Sequence, residues 1–145
     1  MNLLVVKERL LEMGKQISLS VEDENAEQLT VSAHMQAKTY FNDEVYLRYV
    51  IFKSGTVHLF LTFDEMEKTY DNLFLINKFN ADNPWFRAYI INLGGKDFLE
   101  LHYTSFYVTG EQEAVDIIGY LMTELLKDDT FKYLKPILNN NKTSA

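Results

Sequence analysis

Apolar residues recur every three or four positions near both ends of the chain and every second position in the middle. At the start, Leu3, Val6, Leu10 and Met13 form one broad apolar stripe on a helix that we expect to end near Gly14. Charged residues interrupt this stretch, so it predicts a helix and not a secretory signal peptide.

The middle of the chain predicts a meander of antiparallel strands. Val45–Lys53 and Thr56–Phe63 are rich in β-branched and aromatic residues, and the Ser54-Gly55 pair between them is a two-residue hairpin signal. A weaker alternation over Leu29–Tyr40 predicts a further strand, and Ile17–Val21 is a candidate short strand.

A second helix is predicted after the meander. Asp64 with Glu67 three residues later resembles a capping box, which predicts that the helix starts there. The helix is expected to end near Asn80, because Pro84 excludes helical geometry for the residue before it. The face that we expect to meet the core carries Met66, Tyr70, Leu73, Phe74 and Asn77.

A second hairpin and a last helix complete the pattern. Strands over Trp85–Asn92 and Asp97–Val108 flank a pair of glycines, which supply the positive φ of a tight turn. Thr109 with Gln112 forms a second capping box that opens a helix running to about Lys127. Apolar residues cover more than half of that helix, so it is expected to be buried on more than one side.

These elements predict an α+β fold with one antiparallel sheet, made of a meander and a hairpin and packed with helices in the order α-β-β-β-α-β-β-α. At 145 residues the chain is about one domain long. We expect a single domain over residues 1–138 and a disordered tail over 139–145.

The alternation of the strands assigns an apolar face to the core and leaves a second face that is unusually aromatic. Tyrosine, tryptophan, phenylalanine and arginine are the types enriched at protein interfaces. The candidate partner-binding residues on this second face are Tyr46, Arg48, Phe52, His58, Phe60, Trp85, Arg87, Tyr89 and His102.

Three arrangements are compatible with such a face, since a contiguous aromatic patch rarely stays open to water in a monomer. In the first, a helix of the same chain covers the face. In the second, a second copy of the chain covers it in a symmetric homodimer. In the third, a different partner or a small ligand binds there. The pattern of residues alone does not separate these arrangements.

Composition narrows the class of protein. The net charge is −7, and no basic patch of the kind that binds duplex nucleic acid is visible, so direct nucleic-acid binding is not expected. The chain has no cysteine, which fits a reducing compartment, and no apolar run long enough to cross a membrane. We therefore expect a soluble cytoplasmic protein.

The sequence offers little for catalysis. It has no phosphate-binding glycine loop, no nucleophile elbow and no pair of carboxylates with acid–base geometry. His34, His58 and His102 are far apart in sequence, and although a metal site that includes Glu100 is geometrically conceivable, ordinary strand histidines explain them better. We expect no enzyme activity, no cofactor and no metal.

Three short segments carry a resemblance to known proteins: NKFN at residues 77–80, WFRAY at 85–89 and FLEL at 98–101. Over about residues 65–126 the chain resembles the YbjN-like family of bacterial proteins, whose fold is similar to that of the class I type III secretion chaperones. The resemblance implies a small, often dimeric α+β protein without catalytic residues. It also implies turn-capping roles for Asn77 and Asn80, and core positions for Phe86, Ala88 and Leu101.

Two hypotheses of function follow, with an enzyme or small-ligand binder ranked below both. The first is a non-enzymatic protein-binding domain, a chaperone-like adaptor or regulator whose partner is another protein or a second copy of this chain. The alternative is a small acidic inhibitor from a phage or mobile element, which occupies the basic nucleic-acid-binding groove of a target protein.

Overall fold

The computed structural model describes residues 1–13, 19–36, 44–125 and 132–138. Within these residues the fold is α+β with an antiparallel sheet, as the sequence predicts. The predicted tail over 139–145 lies outside the described residues. The elements are α1 (Leu3–Met13), β1 (Ser20–Glu24), β2 (Gln28–Gln36), β3 (Glu44–Phe52), β4 (Val57–Glu65), α2 (Tyr70–Asp82), β5 (Arg87–Leu93), β6 (Lys96–Ser105) and α3 (Glu111–Leu125).

The six described strands form one sheet in the order β1-β2-β3-β4-β6-β5, and every neighbouring pair is antiparallel. The first four strands follow one another as a meander, whereas the β5–β6 hairpin joins it through β6. β1 is the candidate short strand of the sequence, placed a few residues later than expected. β5 therefore forms one edge of the sheet and β1 the other.

Glycines close both predicted hairpins. Gly55 joins β3 to β4 at φ 103°, and Gly94 and Gly95 join β5 to β6 at φ 61° and 83°. Residues with a side chain rarely adopt these values, so glycine is favoured at each of these turns.

The core lies between one face of the sheet and the described helices. Alternate residues of β3 and β4, such as Tyr49 and Leu61, are buried together with Leu10 of α1, Phe79 of α2 and Ile118 of α3. This packing confirms the predicted core face of the sheet. No described helix is long and apolar enough to cross a membrane.

One hydrogen bond ties the core face to α3. The buried Tyr49 hydroxyl donates to the backbone carbonyl of Ala114 at 2.7 Å. Burial, followed by the neighbouring Tyr103, raises the pKa of Tyr49 well above its ordinary value, so the phenol remains a donor throughout the physiological range.

The start of α2 differs from the prediction. β4 continues to Glu65, which pairs with Phe98, and the Met66 N–H donates to the Asp97 carbonyl at 2.9 Å. The proposed capping box at Asp64 was wrong, because the backbone there is committed to the sheet. Thr69 is the N-cap instead, and its hydroxyl accepts a hydrogen bond from the backbone of Asn72.

The buried face of α2 also differs from the prediction. Asn72, Ile76 and Phe79 point into the protein, whereas Tyr70 is 93% exposed and Phe74 is 59% exposed. Asn72 is buried because its side-chain amide donates to the Glu67 carbonyl at 2.7 Å and so fixes the loop before the helix. The prediction placed Tyr70, Leu73 and Phe74 on the core face and left out Asn72, which is buried through a hydrogen bond and not through apolar periodicity.

At the start of α3, Glu113 takes the place that the predicted capping box gave to Gln112. The Thr109 backbone N–H and hydroxyl both donate to the Glu113 carboxylate, at 2.8 and 2.7 Å. Gln112 donates instead to Asp116, one turn further along the helix. The predicted end of the helix near Lys127 lies outside the described residues.

Candidate functional site: the open face of the sheet

The face of the sheet opposite the core, here called the open face, brings several of the predicted residues into neighbouring positions. Antiparallel pairing places Arg48 of β3 beside Phe60 of β4, and Phe60 beside His102 of β6. Two residues further along, Glu100 of β6 lies beside Tyr89 of β5. The site is therefore built by the register of four strands, each of which contributes every second side chain.

Within the described residues, no helix lies on the open face. The helices α1, α2 and α3 all contribute their buried side chains to the core on the other side. The rings on the open face are half-buried, and Thr30, Ser32, Val50 and Glu100 on the same face are buried. Of the three arrangements open at the sequence level, cover by a helix of the same chain is not seen in the described part of the protein.

The centre of the open face is a stack of planar groups. The Phe60 and His102 rings are nearly parallel, 5° apart in orientation with centroids 4.4 Å apart. The Arg48 guanidinium carbon lies 4.8 Å from the centroid of the same Phe60 ring. Phe60 thus contacts a cation and an imidazole, which are two favourable partners for an aromatic ring.

His58 and His102 contact each other directly. Their Nδ1 and Nε2 atoms are 2.9 Å apart, and the Thr104 hydroxyl lies 3.1 Å from the first and 2.9 Å from the second. Burial lowers the pKa of both histidines, and the charge of His58 lowers that of His102 further. Both imidazoles are accordingly biased towards the neutral form.

A second polar contact lies beside the stack. The Tyr89 hydroxyl donates to Glu100 Oε1 at 3.0 Å, and Glu100 is only 6% exposed. Burial raises the pKa of the Glu100 carboxyl, while the Tyr89 hydrogen bond and the Arg48 charge oppose that rise. Burial, together with the hydrogen bond to Glu100, also raises the pKa of Tyr89, so this phenol remains a donor.

Arg48 is incompletely satisfied. Its Nε atom is buried and has no hydrogen-bond partner among the described residues. A buried donor without a partner is costly, so such an atom calls for an explanation. Here the guanidinium is held by stacking on Phe60 and by the nearby charge of Glu100.

The stack, the histidine pair and the Tyr89–Glu100 contact together form one cluster on the open face. The structure places Tyr46 and Phe52 at its two ends. The Tyr46 ring lies 4.9 Å from that of His34, whereas the Phe52 ring lies 6.0 Å from that of His58 with its edge towards it. Both are half-buried on the open face.

Trp85 and Arg87 do not join the cluster. Trp85 precedes β5 and packs edge-on against Tyr120 of α3 at 5.5 Å. The Arg87 guanidinium bends back to the end of α2 and donates to the carbonyls of Asn80 and Asn83, at 3.0 and 3.3 Å. Cations stabilise a helix C-terminus in this position, so Arg87 supports the fold there.

Thr104 was missed as a site residue. It follows the same alternation as Glu100 and His102, and that alternation was the signal that could have found it. Its contact with two histidines depends on the pairing of β4 with β6, which are separated in sequence by a helix and a strand.

The segment around Asn80 joins α2 to β5. The Asn80 side chain accepts from the Ala88 N–H at 2.6 Å and donates to the Ala88 carbonyl at 2.9 Å, and so imitates a neighbouring strand. Asn83 accepts from the backbone of Trp85 and Phe86 and shapes the turn. The implied core positions of Phe86, Ala88 and Leu101 fit the structure. The implied capping roles do not, since Asn83 caps the helix, Asn80 lies within α2 and bonds to Ala88, and Asn77 is exposed.

The described residues contain no group of three or more histidine, aspartate or glutamate side chains that could hold a metal ion. The histidine pair and Thr104 can exchange hydrogen bonds and protons, and the stacked rings can contact a planar or apolar group. The arrangement is thus suited to binding.

Comparison with known proteins gives a similarity of fold. The chain is similar to the crystal structure of YbjN from E. coli, which is described as a candidate transcription regulator, with a TM-score of 0.54 and 11% sequence identity. The similar region covers 99% of this chain and 94% of that one. No family model matches the chain, and no curated protein matches it. At this identity, the similarity supports the fold implied by the motifs and transfers no residue role.

Proposed function

We propose that this chain is a non-enzymatic protein-binding domain, an adaptor or regulator that contacts a protein partner through the open face. The observation that carries the proposal is the position of the stack of Arg48, Phe60 and His102 on a sheet face without a described helix over it. Aromatic and arginine side chains in a central, partly desolvated patch are typical of interface hot spots. The similarity to a candidate transcription regulator is compatible with a regulatory role.

The partner is a second copy of the chain or a different protein. In both cases it would cover the half-buried rings and offer an acceptor or an anion to the guanidinium of Arg48. A small, acidic, cytoplasmic protein that resembles the secretion chaperones in fold would act in this way on a client or on a regulator.

Two single variants test the proposal: Arg48→Ala and Phe60→Ala. Each removes one partner of the central stack, and we expect partner affinity to fall about thirtyfold or more, since hot-spot truncations cost about 2 kcal/mol or more. Light scattering measures self-association, and capture from a lysate of the native host measures binding to other proteins.

Phe74→Ala is the matched control, because Phe74 is an exposed aromatic residue of α2 outside the open face. It should leave oligomeric state and capture as they are in the unaltered protein. If Arg48→Ala and Phe60→Ala also leave both unchanged while circular dichroism shows folded protein, the open face is not the binding surface.

The acidic-inhibitor alternative is favoured by a different feature. All five residues of β1 are exposed, and Glu22, Asp23 and Glu24 lie together on this edge strand with Glu27 in the following turn. A partner with a basic groove would be attracted to this edge, and its binding would weaken steeply with salt. Glu22→Gln with Asp23→Asn should then reduce capture, whereas capture that is independent of salt argues for the open face.

A further inference from the structure

We propose that His58 and His102 make the open face a proton-operated switch, closed at neutral pH and opened by acid. The biological consequence of the switch rests on the proposed function, because the switch changes the surface that the partner would bind. Its chemistry rests on the contact between the two imidazoles alone.

The two rings meet edge to edge. Their planes differ by 17° and their centroids are 5.2 Å apart, with 2.9 Å between Nδ1 of His58 and Nε2 of His102. The centroid separation equals the N···N distance plus the two centre-to-nitrogen distances of the rings, so both nitrogens lie close to the line that joins the centres. This is the geometry of a straight N–H···N hydrogen bond, in which one proton lies between two nitrogens.

The number of protons on the pair determines whether the two rings can stay in contact. A neutral pair has one proton available for the shared position, and a singly protonated pair can keep that hydrogen bond. A doubly protonated pair has an N–H on both facing nitrogens, so the two protons collide and the two cations repel each other. The second proton must therefore separate the rings.

Among the groups around the pair, the charge of His58 is the one that lowers the pKa of His102 beyond the effect of burial. Arg48 of β3 lies across Phe60 from His102. Arg87 of β5 is beside His102 in the sheet register, but its guanidinium turns away to the end of α2. Glu100 is the nearby acid, but it is buried and receives the Tyr89 hydrogen bond. Thr104 is neutral and bonds to either nitrogen.

Opening the pair changes the surface. His102 stacks on Phe60 at 4.4 Å, so a displacement of its ring disrupts the central stack. The face also gains two positive charges beside Arg48. The closed and open forms therefore differ in whether His102 stacks on Phe60 and in the charge of the face.

The direction of the pH effect follows from the lowered pKa values of both histidines in the folded protein. The unfolded chain takes up these protons at about pH 6.5. The stability that the closed pair contributes is therefore fully present above that pH and is lost as the pH falls through the lower folded values.

Nuclear magnetic resonance of the imidazole nitrogens in the full chain tests the switch without any partner. We expect His58 and His102 to titrate as a coupled pair, at lower pH than the histidines of the same chain in concentrated urea. The Phe60 ring signals should move in step with the pair. In His58→Gln, which removes one charge, His102 should titrate at higher pH than it does in the unaltered protein.

Independent titration of the two histidines, at the pH seen in urea and unaffected by His58→Gln, would overturn the switch. That result leaves the partner-binding proposal standing. Coupled titration supports the switch whatever the capture experiments show. If Arg48→Ala and Phe60→Ala leave capture unchanged while the histidines titrate as a coupled pair, only the partner-binding proposal is wrong. Should His58→Gln fail to fold, the titration of the unaltered protein decides alone.

Discussion

Replacement of Phe86 by alanine is expected to lower the free energy of unfolding by about 3–5 kcal/mol. Phe86 is fully buried, and its ring lies 6.3 Å from that of Tyr103 in the core. The backbone around it is held by Asn83, so the cavity left by the ring cannot close easily. Chemical denaturation monitored by circular dichroism measures the loss.

Trp85→Ala is the matched control, since it removes a larger aromatic ring from the adjacent position. Trp85 is 40% exposed and contacts Tyr120 through its edge. Its removal should cost about 1 kcal/mol, in the range of aromatic pairs. Equal losses in the two variants would show that the turn places these rings differently from the described structure.

Gly55→Ala is expected to cost about 2–4 kcal/mol, because strain at a positive φ adds to a collision with the backbone. Gly55 has φ 103°, and a Cβ placed there would lie 2.7 Å from the Val108 carbonyl oxygen. The Val108 N–H also donates to the Gly55 carbonyl at 3.0 Å, so relief of the collision would weaken this link to the segment before α3. Thermal unfolding provides the measurement.

Gly95→Ala separates the two causes. Gly95 also has a positive φ, 83°, but a Cβ there meets no described atom within 4 Å. Gly95→Ala should therefore lower the free energy of unfolding by the conformational strain alone, about 1–2 kcal/mol. If Gly55→Ala proves no more costly than Gly95→Ala, the close approach of Val108 to the hairpin is wrong.

Local signals in the sequence were sufficient to predict the sheet. The glycine positions predict both hairpins, and alternation along β3 and β4 predicts the core face and the open face. These features depend on one residue and its near neighbours, so the sequence carries them directly. The buried face of α2 was missed because Asn72 is buried by a hydrogen bond to Glu67, which no apolar periodicity reports.

The candidate site was predicted only in part, because its contacts depend on non-consecutive strands. Alternation places His58 and His102 on one face, but only the pairing of β4 with β6 brings Nδ1 of the first within 2.9 Å of Nε2 of the second. Trp85 was assigned to that face by extending the alternation beyond the first residue of β5. The chain turns there, and the indole packs against α3 instead.

The central claim is that the open face binds a protein, and photo-crosslinking from that face tests it most directly. A benzophenone side chain replaces Phe52 at the end of the cluster in one variant and Phe74 of α2 in the other, and both are irradiated in a lysate of the native host. We predict a discrete protein adduct, either with a second copy of the chain or with another protein, from position 52 and none from position 74. Adducts from position 74 alone, or from neither position, would contradict the claim.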